Sequence, residues 1–275
     1  MSFSCRLCFA DHRLTLDCAL TAVVRSSGST AAKLERLIRR PRHHLLRGTA
    51  SRLLAHSGGE ECGADVDVLI DLLLGVHESL LLEHLHRAPL RSLRAYDEEH
   101  THLLRPPAES WTPYHECATL LTLVPAGGTL LDLGAGVGRT LLVAALLRPD
   151  VRCVGLELVK ERVALAQRAL LRLRASRTVR VLHRRLGSSR LPLPRAERMT
   201  VYLFNPFAPP TLESVLRSLL ALSRSCPFTL VLKGMECALE ASAAWEGLRA
   251  KLRPLPKDEA EQTVLYAQLL QQNIL

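Results

Sequence analysis

Apolar positions follow two different rhythms along the chain. Up to about residue 105 they recur at helical spacing, through residues 14–24, 34–46 and 66–85. The breaks between these runs fall at SSGST (26–30), Pro41, HSGGEECG (56–63) and Pro89. Beyond the punctuated stretch RPPAES (105–110), short apolar runs alternate with helical ones. TLLDL (129–133), VRCVGLEL (151–158), TVRVLHR (178–184), MTVYLF (199–204) and FTLVLK (228–233) read as strands, and QTVLYAQLL (262–270) as a last, antiparallel one. Helices are expected over 139–147, 160–174, 211–223 and 238–252. The pattern predicts an α/β protein with a helical N-terminal region, 1–105, and a domain at 106–275 built on a mostly parallel, doubly wound sheet.

Charge and cysteine usage narrow the classes. The apolar run 66–85 carries Asp67, Asp71, Glu78 and Glu83, which makes it a buried or partner-facing helix rather than a transmembrane segment. The first residues lack the apolar core of a signal peptide. Arg6, Arg13 and Arg25 among serines have a presequence-like look, against which Asp11 and Asp17 count. Eight scattered cysteines in 275 residues do not make a disulfide scaffold. They imply reduced thiols and an intracellular setting, whether cytoplasm, nucleus or mitochondrion. Cys5, Cys8, His12 and Cys18 are potential zinc ligands, but they are packed too closely for the usual two-knuckle spacing, and no metal site is expected.

The net charge of +9 is uneven. Residues 1–105 hold 14 Lys+Arg and 13 Asp+Glu, whereas 106–275 hold 22 and 14. Between Arg162 and Arg198 there are 11 arginines and one acid, Glu197. A second basic stretch runs from Lys33 to Arg52. Each is either a surface for nucleic acid or an acidic partner, or a solvated helix face.

In doubly wound sheets, ligands bind at the carboxyl ends of the strands, near the switch point. The first strand ends in Asp132-Leu133-Gly134-Ala135-Gly136-Val137-Gly138. Glycines there permit positive φ and close approach of a ligand to the backbone, and the helix behind presents its N-terminal amides. Dinucleotide folds place GxGxxG at the same point. Here the spacing is GxGxG with an acid in front, and the acid would repel a pyrophosphate while suiting a cationic amino group. Glu157 ends the second strand, where an acid accepts hydrogen bonds from the two hydroxyls of a ribose.

With LLDLGAGVGRTLL and VGLELVKERVALAQ in these positions, the chain from Trp111 onward resembles the class I S-adenosylmethionine (SAM)-dependent methyltransferase superfamily. That resemblance implies a Rossmann-like seven-stranded sheet and SAM as cofactor, held by Asp132, Leu133, Gly134, Ala135, Gly136, Gly138 and Glu157. DLGAGVG and SWTPYHECATLL (110–121) are similar to elements of Dot1-like protein-lysine methyltransferases and of small bacterial relatives with an Asn-Pro-Phe motif. This implies that Thr112 and Tyr114, with Glu116, help to hold the cofactor. Thr112 and Pro113 also read as an ordinary helix N-cap and first position. FNPF (204–207) resembles the (D/N)PP(Y/F) motif of amino-methylating enzymes, which implies that Asn205, Pro206 and Phe207 hold the acceptor nitrogen; NPFAPP is otherwise a rigid turn. HRRLGSSRL, after the third strand, lacks the acid that often meets the adenine amino group in this superfamily.

Two expectations follow. One is an N-methyltransferase acting on a protein lysine or on an amino group of RNA or DNA. The other is a catalytically weak methyltransferase-fold subunit that serves as an RNA- or RNP-binding assembly factor.

Overall fold

The structure is a computed structural model. It describes residues 43–56, 63–77, 111–187, 198–204, 207–233, 239–240, 242–254 and 266–270. The possible zinc ligands Cys5, Cys8, His12 and Cys18, the helical run 14–24 and the stretch 105–110 lie outside the described residues.

Three helices come first: α1 (His43–His56), α2 (Gly63–Leu74) and α3 (Tyr114–Thr122). Strands and helices then alternate as β1 (Thr129–Leu133), α4 (Arg139–Leu147), β2 (Arg152–Glu157), α5 (Lys160–Arg172), β3 (Val179–His183), β4 (Met199–Phe204), α6 (Pro209–Leu222), β5 (Phe228–Lys233), α7 (Ala243–Arg249), β6 (Leu252–Pro254) and β7 (Tyr266–Leu270). The sheet has the order β3-β2-β1-β4-β5-β7-β6. Its first five strands are parallel, while β7 pairs antiparallel with β5 and with β6. The order reverses between β1 and β4, so the crevice at their carboxyl ends is the expected ligand position.

The strand residues explain this arrangement. β1 is buried at every position, and β4 and β5 at all but the last, as strands covered on both faces must be. β3, at the sheet edge, alternates instead: Val179 and Val181 are buried and Arg180 is exposed. A charge there discourages pairing with another sheet edge. One core cluster joins α3, α4 and α5 to one sheet face and includes Leu46, Ala50 and Leu54 of α1 with Ile70, Leu73 and Leu74 of α2. The second packs Leu212, Leu216 and Leu219 of α6 and Trp245 and Leu248 of α7 against Leu133, Val201 and Leu230.

Two N-terminal helices depart from the sequence expectation. α1 starts after Pro41 and runs to His56, past the expected end at residue 46. Its buried stripe (Leu46, Ala50, Leu54) has a spacing of four with a small residue in the middle, on an otherwise basic helix. α2 stops at Leu74 rather than continuing to 85, because Gly75 turns the chain into the left-handed region at φ 73°.

Three arginines, two of them in the basic stretches, are spent inside the molecule. Arg172 donates to the carbonyls of Leu73 (3.0 Å) and Leu74 (2.9 Å), at the end of α2. Arg47 donates to Ala145 (2.9 Å) in the last turn of α4, and Arg148 to Leu121 (2.8 Å) and Val124 (3.2 Å) at the end of α3. The carbonyls of Leu73, Leu74, Ala145 and Leu121 lie in the last turns of their helices, and a cation is favourable at that end of the helix dipole. The solvated-face and partner-surface readings therefore do not apply to Arg47 or Arg172.

Gly75 and Gly48 give opposite outcomes on substitution. A Cβ on Gly75 would fall 2.3 Å from Arg172 Nη1 at a positive φ, so Gly75→Ala is expected to cost about 1–3 kcal/mol. Gly48 lies inside α1 with nothing within 4 Å of an added Cβ, so Gly48→Ala is expected to stabilise by roughly 0.5–1 kcal/mol. Urea denaturation of both variants checks the two signs.

Candidate cofactor site

The chain turns sharply after β1 because three glycines accept left-handed backbone: Gly134 at φ 89°, Gly136 at 56° and Gly138 at 81°. The amides of Gly134 and Ala135 both donate to the Leu156 carbonyl, at 2.8 and 3.1 Å, which lays the loop onto β2. Gly155 makes that approach feasible. A Cβ there would lie 2.7 Å from Ala135 Cβ and 3.1 Å from Leu141. Sequence reading passed over Gly155, although a glycine in mid-strand is the signal of close backbone approach.

The loop floors an open cleft whose walls include Trp111, Thr112, Asp132, Arg139, Tyr202 and Phe204. Asp132 enters it from the end of β1 and is 3% exposed. Burial, with the nearby Glu157 charge, pushes its carboxyl up to about 7, while the Thr140 hydroxyl hydrogen-bonds it and works in the opposite direction. A buried acid poised in this way gains most from a cationic ligand.

Gly134, Ala135 and Gly136 line the cleft with Asp132 and Thr112. Leu133, the next residue in β1, points into the opposite core. Gly138 begins α4 beneath the loop, and a Cβ there would press to 3.2 Å from Ala166 Cβ. Glu157 is buried and outside the lining of the cleft. Its two carboxylate oxygens accept from the Gly136 amide and the Val159 amide, both at 2.8 Å.

The segment before the sheet is used differently from an ordinary N-cap. The Thr112 hydroxyl lies 2.7 Å from the Tyr202 hydroxyl, so it ties α3 to β4 instead of capping α3. The cap position is Pro113, and the first amide of α3, at Tyr114, donates to the Asp67 carboxylate of α2 at 3.2 Å. Tyr114 is fully buried, outside the lining of the cleft, with its hydroxyl donating to Asp71 at 2.8 Å. Glu116 pairs with Lys233 at the end of β5, whose ammonium sits 4.6 Å over the Phe204 ring.

Tyr202 and Arg139 are among the cleft residues that escaped the sequence reading. Tyr202 faces Asp132 across the β1–β4 register; in the sequence it is one apolar strand residue among others. Arg139 forks onto Asp71 and also donates to the Thr112 carbonyl at 3.4 Å. Of the acceptor motif, Asn205 and Pro206 lie outside the described residues. Phe207 packs against the α6–α7 core. Among the described residues no group of His, Cys, Asp or Glu is placed to hold a metal ion, and no helix is long and apolar enough to cross a membrane. Cys117, Cys153 and Cys226 are buried and unbridged.

The residues present fit an adenosyl amino-acid ligand. A buried acid offers a site for an ammonium, open backbone at Gly136, where an added Cβ would meet nothing within 4 Å, leaves room for the ligand, and an acid in front of the loop excludes a pyrophosphate.

No family model matches the chain. It is 33% identical over 155 residues to the ribosomal RNA small subunit methyltransferase G of Acidiphilium cryptum, covering 54% of this chain and 66% of that protein, just under two thirds of its length. Among solved structures it is similar to TrmN from Thermus thermophilus (TM-score 0.42, 20% identity, covering 58% of this chain and 48% of that one). It is similar also to an RNA methyltransferase from Salinibacter ruber in complex with S-adenosyl-L-homocysteine (TM-score 0.40, 20% identity, covering 60% of this chain and 95% of that one). The Dot1-like likeness rests on the loop and the pre-sheet segment alone. With its reversed strand order, its antiparallel β7 and its glycine loop behind a buried acid, the chain has the Rossmann-like sheet that its resemblance to class I SAM-dependent methyltransferases implies.

Proposed function

We propose that the protein is a SAM-dependent methyltransferase that acts on an amino nitrogen of a macromolecule, with RNA favoured over a protein lysine. The observation that carries this reading is the pairing of Asp132, buried and held near neutrality, with the glycine loop at the switch point. Thr112, Asp132, Gly134, Ala135 and Gly136 would line the cofactor, Leu133, Gly138 and Tyr114 would support that lining from behind, and Glu157 would meet the ribose. When bound, SAM supplies a methyl group activated on a sulfonium. Transfer then needs in-line placement of an uncharged nitrogen more than a strong base. Asn205 would accept a hydrogen bond from that nitrogen, with Pro206 fixing the turn and Phe207 flanking it.

RNA is favoured by charge and by kinship. Arg174, Arg177, Arg180 and Arg184 are exposed around the end of α5 and the β3 edge, within the basic stretch beginning at Arg162. The curated relative is a ribosomal RNA methyltransferase by name. One observation favours the second reading, a weakly active RNA- or RNP-assembly subunit. His183 at the end of β3 and Arg184 and Arg185 just after it are exposed, and no acid follows until Glu197 to meet an adenine amino group.

Radiolabelled SAM incubated with the protein and either total RNA or total protein separates these readings. Label is expected in RNA, with Asn205→Ala lowering incorporation about 100-fold. Label in protein alone overturns the RNA preference. Saturable SAM binding and salt-dependent RNA binding without any label would favour the assembly reading.

Asp132 sets a pH dependence with a definite sign. Its carboxyl is raised from 3.8 to about 7, so below about 7 the free protein carries the neutral acid and a cationic ligand must expel that proton on binding. SAM affinity measured by calorimetry is expected to fall by up to roughly tenfold for each unit of pH below that point. Asp132→Asn should bind more weakly and lose this slope; a wild-type profile parallel to that of the variant would place the titrating group elsewhere.

A further inference from the structure

The amino-acid end of the proposed cofactor carries an ammonium and a carboxylate on the same carbon, so a site that holds the first at Asp132 needs a cation close by. Arg139 is the positively charged residue among those lining the cleft. It lies one turn of the loop beyond Asp132, at the start of α4. We infer that Arg139 receives the carboxylate of the cofactor's amino-acid end, and that Asp67 and Asp71 of α2 are the positioning residues that aim it. This rests on the cofactor reading above.

The geometry gives the guanidinium one orientation. Nε and Nη2 form a fork on the two oxygens of Asp71, and Nη1 donates to the Thr112 carbonyl. A guanidinium has five N–H groups, so two remain for a ligand. Asp67 stands 3.6 Å from Nη1 and is itself engaged by the Tyr114 amide. The rings of Trp111 and Tyr114 lie 4.5 and 5.0 Å from the guanidinium carbon. The side chain is 12% exposed and Asp71 only 1%, so the pair is anchored on the protein side. What exposure remains borders the cleft. A planar fork fixed at one edge by a carboxylate is suited to taking a second carboxylate at another.

The consequence concerns α2. Both positioning acids come from the helical N-terminal region, which thereby takes part in cofactor recognition. Tyr114 belongs to the same device: its hydroxyl donates to Asp71 and its amide to Asp67, so it holds the two acids that hold the arginine.

The test uses the wild-type full chain first, titrated with SAM and with decarboxylated SAM, which keeps the sulfonium and the amine and lacks only the carboxylate. Decarboxylated SAM is expected to bind about tenfold or more weakly. Arg139→Lys, which keeps the charge and loses the fork, should erase most of that difference by weakening SAM alone. Asp71→Asn, nearly isosteric, should shrink it by a smaller factor without changing the affinity for decarboxylated SAM. Equal affinity of the wild type for both ligands, or equal loss of both in Arg139→Lys, overturns this assignment and leaves the cofactor reading standing. A wild-type protein that binds neither ligand overturns both.

Discussion

A single carboxylate holds the switch point together. Glu157, at the end of β2, accepts from the Gly136 amide of the loop after β1 and from the Val159 amide at the start of α5. Each amide stands at the amino end of a helix or of a loop feeding one, where the backbone lacks partners of its own. Losing the carboxylate would leave two inward-facing donors unmet, at about 1–3 kcal/mol each. Gly155 and the Leu156 carbonyl finish the arrangement by letting the loop lie flat on β2. The position of Asp132 relative to the cleft follows from these contacts, since the acid is the last polar residue before the chain turns.

Charge is distributed with a similar economy. A formal +9 suggests a strongly basic surface, yet Arg47, Arg148 and Arg172 end helices from within, and Arg139 is buried against two acids. Arg162 is buried as well. Arg174, Arg177, Arg180 and Arg184 are exposed near the β3 edge, while Arg52 on α1, Arg217 on α6 and Arg249 on α7 are exposed elsewhere. Arginines spent inside the molecule and exposed ones are interleaved in sequence, with Arg172, which donates to the end of α2, and the exposed Arg174 only two residues apart.

The sheet was readable in advance because buried parallel strands are short apolar runs that end in turns. The strands at 129–133, 199–204 and 228–233 match to the residue, and those expected at 151–158 and 178–184 shorten by one at each end. The glycine loop and Asp132 were readable for the same local reason. What escaped depends on contacts far apart in sequence. Asp67 and Asp71 looked like interruptions of an apolar helix; their partner is about seventy positions away, at Arg139. The Thr112 hydroxyl looked like a cap, until Tyr202 on β4 proved to be its neighbour. α1 was mistaken in extent because a stripe of Leu46, Ala50 and Leu54 is too narrow to stand out among arginines and histidines.

The ion cluster around Arg139 also bears on where this chain can be divided. A composition break at RPPAES invites a cut near residue 105, and sheet, loop and acceptor motif would all survive it. That fragment would keep Arg139 and Tyr114 but lose Asp67 and Asp71, the two acids that pair with the guanidinium, one of which also accepts from the phenol. Removing one side of a buried ion pair costs several kcal/mol, a large share of the stability of an ordinary domain. For expression or crystallisation, a shortened protein should therefore begin upstream of Gly63, so that the first helix to be kept is chosen by its acids rather than by the punctuation of the sequence.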